Sequence, residues 1–281
     1  MTGTLYLCAT PIGNLEDMTY RAVRILQEAD LIAAEDTRNS MKLLNHFDIH
    51  TPLTSYHEYN KFTKGRELTD KLLAGKNVVL ITDAGMPGIS DPGEELVAMA
   101  CEAGIPVTVV PGASACVSAL ALSALPTRRF AFEAFLPADK KERKAILAEL
   151  AEESRTIVLY EAPHRLQTSL AELAECLGPD RRASVCRELT KKHETILRTT
   201  LRGACEHYAA EQPRGECVIV IEGKSLAEKK AEEQESWRGL SAEEHVALYE
   251  SEGLDRKEAM RRAAKDRGIS KRDIYSELLG R

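Results

Sequence analysis

Two hydrophobic spacings alternate along the first part of this chain. Short apolar runs at Leu5–Ala9, Leu31–Ala34, Pro52–Ser55, Val78–Ile81 and Val107–Val110 have little internal polar alternation, as in strands covered on both faces. Between them lie stretches with helical spacing. Tyr20–Ala29 places Ala22, Val23, Leu26 and Ala29 on one side, and further helices are expected at Ser40–His46, up to Leu73, after Asp91 and up to about Leu122. Strands that alternate with helices predict a mostly parallel α/β layer.

The pattern changes after Leu125-Pro-Thr127. Phe130–Phe135 alternates, Lys140–Leu150 is an amphipathic helix, and Arg155–Tyr160 is a strand leading into a helix that ends near Cys176. Strand-like runs then crowd together at Ser184–Arg187, Thr195–Thr199 and Cys217–Ile221, which predicts a mixed or antiparallel sheet. The expected organisation is an N-terminal α/β domain at 1–125 and an α+β domain at 126–223 that completes a cleft. A charged linker at 224–240 and a basic helical tail at 241–281, expected to bind RNA, follow. The linker has few apolar anchors, and a solvated helix is its other reading. In the tail, Ser241-Ala-Glu-Glu244 forms a capping-box pattern, and Gly253 and Gly268 interrupt helical segments in the manner of a helix-turn-helix.

Composition changes this picture in one place. The 281 residues are 43% apolar and 29% charged with a net charge of −6, values of an ordinary soluble protein, so the basic excess around Arg261 and Arg262 stands out locally. Seven scattered cysteines, none in a C-x-x-C pair, point to small buried hydrophobes and to neither disulfides nor a metal site. No apolar run is long enough to span a bilayer, and the N-terminus enters a strand pattern without a basic flank, so a cytoplasmic location is expected.

The P-loop, the dinucleotide glycine fingerprint, H-E-x-x-H and G-x-S-x-G are all missing, which argues against the enzyme classes they mark. What remains is four loops of Gly, Pro and small polar residues at 10–14, 83–93, 111–115 and 161–165. Their positions after strands predict one shared pocket at the strand ends. In the second loop Gly85 and Gly88 admit close backbone approach; Asp91 is expected to cap a helix whose first residue is Pro92, with Glu94 three positions after the cap.

The segments Tyr6-Leu-Cys-Ala-Thr-Pro-Ile-Gly-Asn-Leu-Glu-Asp17, Ala34-Glu-Asp-Thr-Arg38, Thr82-Asp-Ala-Gly-Met-Pro-Gly-Ile-Ser-Asp-Pro-Gly93, Val110-Pro-Gly-Ala-Ser-Ala115 and Tyr160-Glu-Ala-Pro-His-Arg165 resemble those of the tetrapyrrole methylase superfamily. Within it they are most similar to the branch acting on small-subunit ribosomal RNA, over about residues 4–223. The resemblance implies a two-domain α/β fold with S-adenosylmethionine between the lobes, usually in a homodimer. It also implies 2′-O-methylation of a cytidine in the decoding region of 16S ribosomal RNA.

Carried over by position, the cofactor residues are Pro11, Gly13, Asp83, Ala84, Gly85, Met86, Pro87, Gly88, Ser90, Asp91, Pro111, Gly112, Ala113, Ser114 and Ala115. Helix-start N–H groups after Asp91 and Pro111 suit the donor's carboxylate, Asp83 its ribose or ammonium, and Met86 and Ala113 its adenine. A proton acceptor for the hydroxyl is sought among Glu161, Glu188, Lys191 and His193. Arg38, Arg165, Arg187, Lys192, Arg261 and Arg262 are candidates for holding RNA. Two other functions fit the residues: a methyltransferase acting on a tetrapyrrole, and a non-catalytic RNA-binding ribosome assembly factor.

Overall fold

The strands of the first half form one wholly parallel sheet. A computed structural model of the chain describes residues 1–211 and 213–278, without the side chains of 230, 232, 233 and 236. In chain order the first elements are β1 (Leu5–Cys8), α1 (Tyr20–Glu28), β2 (Leu31–Ala34), α2 (Thr37–His46), β3 (Leu53–Ser55), α3 (Lys61–Leu73), β4 (Val78–Ile81), α4 (Gly93–Glu102), β5 (Val107–Val110) and α5 (Ala115–Leu122). The sheet order is β3-β2-β4-β1-β5. Apolar clusters cover both of its faces, one containing Leu5, Leu68, Leu80 and Leu96, the other Cys8, Leu26, Ile32 and Val79, which is why its strands read as continuous apolar runs.

The second sheet is mixed. Its elements are β6 (Phe130–Phe135), α6 (Lys140–Glu152), β7 (Thr156–Glu161), α7 (Leu166–Leu177), β8 (Arg182–Arg187), β9 (Thr195–Thr200), α8 (Leu201–Ala210) and β10 (Cys217–Ile221). The order is β6-β7-β10-β8-β9, with β6 and β7 parallel and the other pairings antiparallel. Helix α5 packs between the sheets: Cys116, Ala119 and Leu120 share an apolar cluster with Val158, Cys186, Val218 and Val220. Both sheets belong to one compact unit, Met1–Gly223. The change of pattern expected after residue 125 coincides with the passage from the first sheet to the second.

The second unit is Lys224–Arg281. Its first part, expected as a linker, is helical: α9 (Leu226–Arg238). The reason is a second capping box, in which the Glu228 N–H donates to Ser225 Oγ at 3.0 Å and the Ser225 N–H donates to Glu228 Oε2 at 2.6 Å. Then come α10 (Ala242–Ser251), α11 (Arg256–Arg267) and α12 (Lys271–Leu278), whose inward residues include Val246, Tyr249, Met260, Ala263 and Ile274. The Ser241–Glu244 box opens α10, and Gly268 closes α11 in the left-handed region at φ 67°. Among the described residues, no helix is long and apolar enough to cross a membrane.

Candidate active site

Strand register builds the site. In the parallel sheet Cys8 is level with Val110, Ala34 with Ile81, and Leu7 with Leu80, so β1, β2, β4 and β5 end on one edge. The loops that follow them must leave together, outside the carboxyl ends of the strands. Two of these loops are stitched to each other: the Thr10 N–H donates to the Gly85 carbonyl at 2.9 Å, and the Gly85 N–H donates to Thr10 at 3.1 Å.

Asp91 organises the loop after β4. Its carboxylate accepts N–H groups from Gly88 at 2.9 Å, Ile89 at 3.1 Å and Gly93 at 2.8 Å. Because it serves the turn as well as the helix, α4 starts at Gly93, one residue later than expected, and Pro92 is its cap with no side-chain cap bond. A Cβ on Gly93 would lie 2.7 Å from Asp91 Oδ1 and 2.8 Å from the Gly88 nitrogen, so this position tolerates only glycine. Ser90, at φ 65°, holds a left-handed conformation that this web of bonds over-determines.

Above the loop opens a cavity of about 500 Å³, well within the range of small-molecule sites. Asp83, Ala84, Gly85, Met86, Ser90 and Asp91 form its floor, and Ser114 and Ala115 line it at the start of α5. Glu35, at the end of β2, joins Asp83 and Asp91 in an acidic rim. Burial, and then the carboxylates of Asp83 and Asp91, push the Glu35 carboxyl above its ordinary range. Loss of hydration is the larger cause and the like charges the smaller. Asp83 is fixed from behind, accepting from the Asp36 N–H at 3.2 Å and from Asn39 Nδ2 at 3.3 Å.

The opposite wall comes from the second sheet. Tyr160 packs edge-to-face on Phe132 at 4.9 Å and tilted on Phe135 at 5.6 Å, and its hydroxyl accepts the Cys116 N–H at 3.2 Å. Burial pushes the Tyr160 phenol up. Antiparallel pairing sets Cys217 level with both Glu161 and Arg187, which brings Glu216, Cys217 and Val218 into the wall. Glu161 is only 3% exposed. It accepts from the Ala162 N–H at 2.9 Å and from the Ser169 hydroxyl, with Arg165 Nε at 3.7 Å. Ser169 in turn accepts from the buried Arg143 guanidinium at 2.9 Å.

The remaining candidates lie elsewhere. Lys191 Nζ sits between Glu188 at 2.9 Å and Glu216 at 3.0 Å. Burial alone would lower its pKa, but the two carboxylates outweigh it and raise the value, so Lys191 stays a cation and is no proton acceptor. Its stem crosses Gly13: a Cβ there would lie 2.3 Å from Lys191 Cγ. Gly13→Ala should therefore push Lys191 off both carboxylates and cost about 1–3 kcal/mol, as overpacking does. Adding Lys191→Ala should relieve part of that cost, and strictly additive losses in a denaturant double-mutant cycle would contradict the contact.

Pro11 and Gly13 line a second cavity of about 220 Å³ with Thr10, Asn39 and Lys42, and Asp83 borders both cavities. Pro87 and Gly88 belong to the turn, and Pro111, Gly112 and Ala113 lie behind the floor, where a Cβ on Gly112 would meet Ala9 Cβ at 3.0 Å. His193 and Lys192 are exposed and line neither cavity. Arg38 pairs with Asp36 at 2.8 Å, Arg165 donates to the Leu136 carbonyl at 2.9 Å, and Arg187 donates to Thr195 Oγ1 at 3.1 Å. In the second unit, Arg261 pairs with Glu258 at 3.2 Å and Arg262 lies over the Tyr249 ring at 4.8 Å. Among the described residues, no group of three or more His, Cys, Asp or Glu side chains is placed to hold a metal ion.

The sequence profile of the tetrapyrrole (corrin/porphyrin) methylases matches residues 4–205, and the chain belongs to that family. Its particular relatives within the family are ribosomal. It is 52% identical to "Ribosomal RNA small subunit methyltransferase I" of Halalkalibacterium halodurans, over 98% of this chain and 94% of that protein. The protein of the same name in Bacillus subtilis is 47% identical, over 97% and 93%. Among solved structures, diphthine synthase aligns with a TM-score of 0.62 at 15% identity, over 79% of this chain and 90% of that one. Uroporphyrin-III C-methyltransferase from Thermus thermophilus, complexed with S-adenyl homocysteine, aligns with a TM-score of 0.53 at 24% identity, over 78% and 97%. At those identities the structures establish the shared fold alone.

Proposed function

We propose that the protein is an S-adenosylmethionine-dependent methyltransferase that methylates the 2′-hydroxyl of a cytidine in small-subunit (16S) ribosomal RNA. The observation that carries this reading is the cavity at the level strand ends, with the carboxylates of Glu35 and Asp83 on one side and the rings of Tyr160 and Phe135 in the wall on the other. The donor is a cation at its sulfonium and ammonium, and an apolar ring system at its adenine, so the two sides match its two ends. Glu35 and Asp83 would face the positive end, over the floor that Asp91 holds in shape; Tyr160, Phe135, Met86 and Ala115 would enclose the ring. The ribosomal relatives support RNA as substrate, and the neighbour complexed with S-adenyl homocysteine supports the donor. The resemblance also carries a homodimer working in the cytoplasm; a single-chain mass in sedimentation would remove the dimer.

The bound donor supplies an activated methyl group with a good leaving group. The ribose hydroxyl would accept that methyl group in exchange for its proton, which would pass to water at the open side of the cavity, and the donor would leave as the neutral thioether. What this chain must add is alignment and exclusion of water. Both Glu161 oxygens are already engaged, so Glu161 serves by fixing the wall at the junction of β7 and α7.

The raised carboxyl of Glu35 gives a pH signature. It takes a proton at a pH where an ordinary glutamate is still ionised, so acidification through its pKa removes a negative charge from the rim. Donor affinity should fall as pH drops, and Glu35→Gln should lower affinity at neutral pH and flatten the profile. Calorimetric titrations between about pH 5 and pH 8 check this; an identical slope in Glu35→Gln would contradict it.

Labelled donor offered with assembled small subunits, with naked ribosomal RNA and with a tetrapyrrole precursor tests the reaction itself. Label in RNA ribose is the expected result. Label in the porphyrinoid alone would identify a small-molecule enzyme, and RNA binding without label a non-catalytic assembly factor.

A further inference from the structure

The second unit carries a surface that the methyl-transfer site does not use. Helices α11 and α12 are joined by Gly268-Ile-Ser270, with Gly268 left-handed and Ser270 opening α12 through a reciprocal pair of bonds with Asp273, 2.9 Å and 3.2 Å. This is the tight turn of a helix-turn-helix, in which the second helix meets the nucleic acid. On α12, Ile274 and Leu278 point inward to the apolar cluster. Lys271, Tyr275 and Arg272 fall along one flank of the helix, beside the inward residues, within about 100° of arc at helical spacing. The acidic residues of the same helix, Asp273 and Glu277, fall on the far side of that stripe. Lys271 and Arg272 are exposed, and Tyr275 leaves 56% of its surface open. Lys265, near the end of α11, adds another exposed cation beside the turn.

Resting on the reading of RNA as substrate, we propose that this face of α12 grips unpaired RNA, with a base stacked on Tyr275 and flanking phosphates held by Lys271 and Arg272. The physical reason for a single strand is the shape of RNA. Its paired helix has a deep, narrow major groove that no recognition helix can read, whereas unpaired bases offer open faces to an aromatic ring. A cation on either side of the ring matches the charge on either side of each base. The Arg261 and Arg262 side chains, chosen from composition, are engaged with Glu258 and Tyr249, so the stripe on α12 is the freer surface.

The test uses the full chain and fluorescence anisotropy with a labelled single-stranded oligoribonucleotide of about a dozen nucleotides. Tyr275→Ala should weaken binding about tenfold, the loss expected for one stacked base, and Tyr275→Phe should stay within about twofold of the parent. Lys271→Ala should reduce the slope of log affinity against log salt by about 0.7. The ring is exposed, so circular dichroism of these variants should be unchanged. Equal affinity of Tyr275→Ala and parent, or competition by a duplex as effective as by the single strand, would overturn the proposal. Methyl transfer to small subunits, measured on the same preparations, separates the two readings. Labelled RNA with an inert Tyr275 defeats only this surface, and Tyr275-dependent binding without label defeats only the methyltransferase.

Discussion

Asp91→Ala should lower affinity for S-adenosylmethionine by about a hundredfold or more while leaving the chain folded. One carboxylate holds the N–H groups of Gly88, Ile89 and Gly93, and so fixes the course of the whole loop under the cavity. Hydrogen bonds to a charged group contribute about 1.5–3 kcal/mol each. Water replaces much of that once the loop is free, and a net loss near 3 kcal/mol corresponds to about two decades in affinity. Ser90 would relax from its left-handed conformation, and the floor between Gly85 and Asp91 would lose its shape. The cores on both faces of the first sheet do not include Asp91, so thermal unfolding should change little. Calorimetry read beside a melting curve checks both halves of the expectation; donor affinity within about threefold of the parent would show that the loop holds itself without this residue.

Glu161→Ala should act the other way, on the fold first. Glu161, Ser169 and Arg143 are 3%, 0% and 7% exposed, and they form a chain of bonds from β7 through α7 to α6. Removing the carboxylate strips the buried hydroxyl of its acceptor and withdraws the counter-charge facing Arg165. Breaking a buried charged network in this way costs about 3–5 kcal/mol. For a chain of this size that is a fall of roughly 10 °C in the unfolding midpoint. Glu161→Gln, which keeps an oxygen for the Ser169 hydroxyl, should recover part of it. A midpoint unchanged to within about a degree would mean that Glu161 is held in place by its surroundings and gives nothing back.

The same residues show what could be read before the fold was known. Periodicity gave the parallel layer, because strands buried on both faces leave unbroken apolar runs, and the glycines and prolines at 83–93 marked the floor because few other residues adopt that backbone. Glu35 and Tyr160 fell inside conspicuous segments, yet their role depends on which strand ends are level, and that is set by register. Glu216, Cys217 and Val218 carried no loop signal. They enter the wall only because β10 runs antiparallel to β7 and β8, which sets the beginning of one strand beside the ends of two others. Lys191 drew attention as a reactive group, but its fate was decided by Glu188 and Glu216, which reach it only in the folded chain. The stretch after Lys224 read as a linker or as a solvated helix because its apolar content is low; the Ser225–Glu228 box was the local signal for a helix.

The most direct measurement is a calorimetric titration of the intact protein with S-adenosylhomocysteine, repeated on Ala115→Trp, which fills the cavity from the start of α5 and leaves the sequence of the loop after β4 unchanged. One saturable site per chain in the parent, abolished by the tryptophan, is the expected result. No saturable heat in the parent, or full heat with the cavity filled, would contradict the placing of the donor at these strand ends.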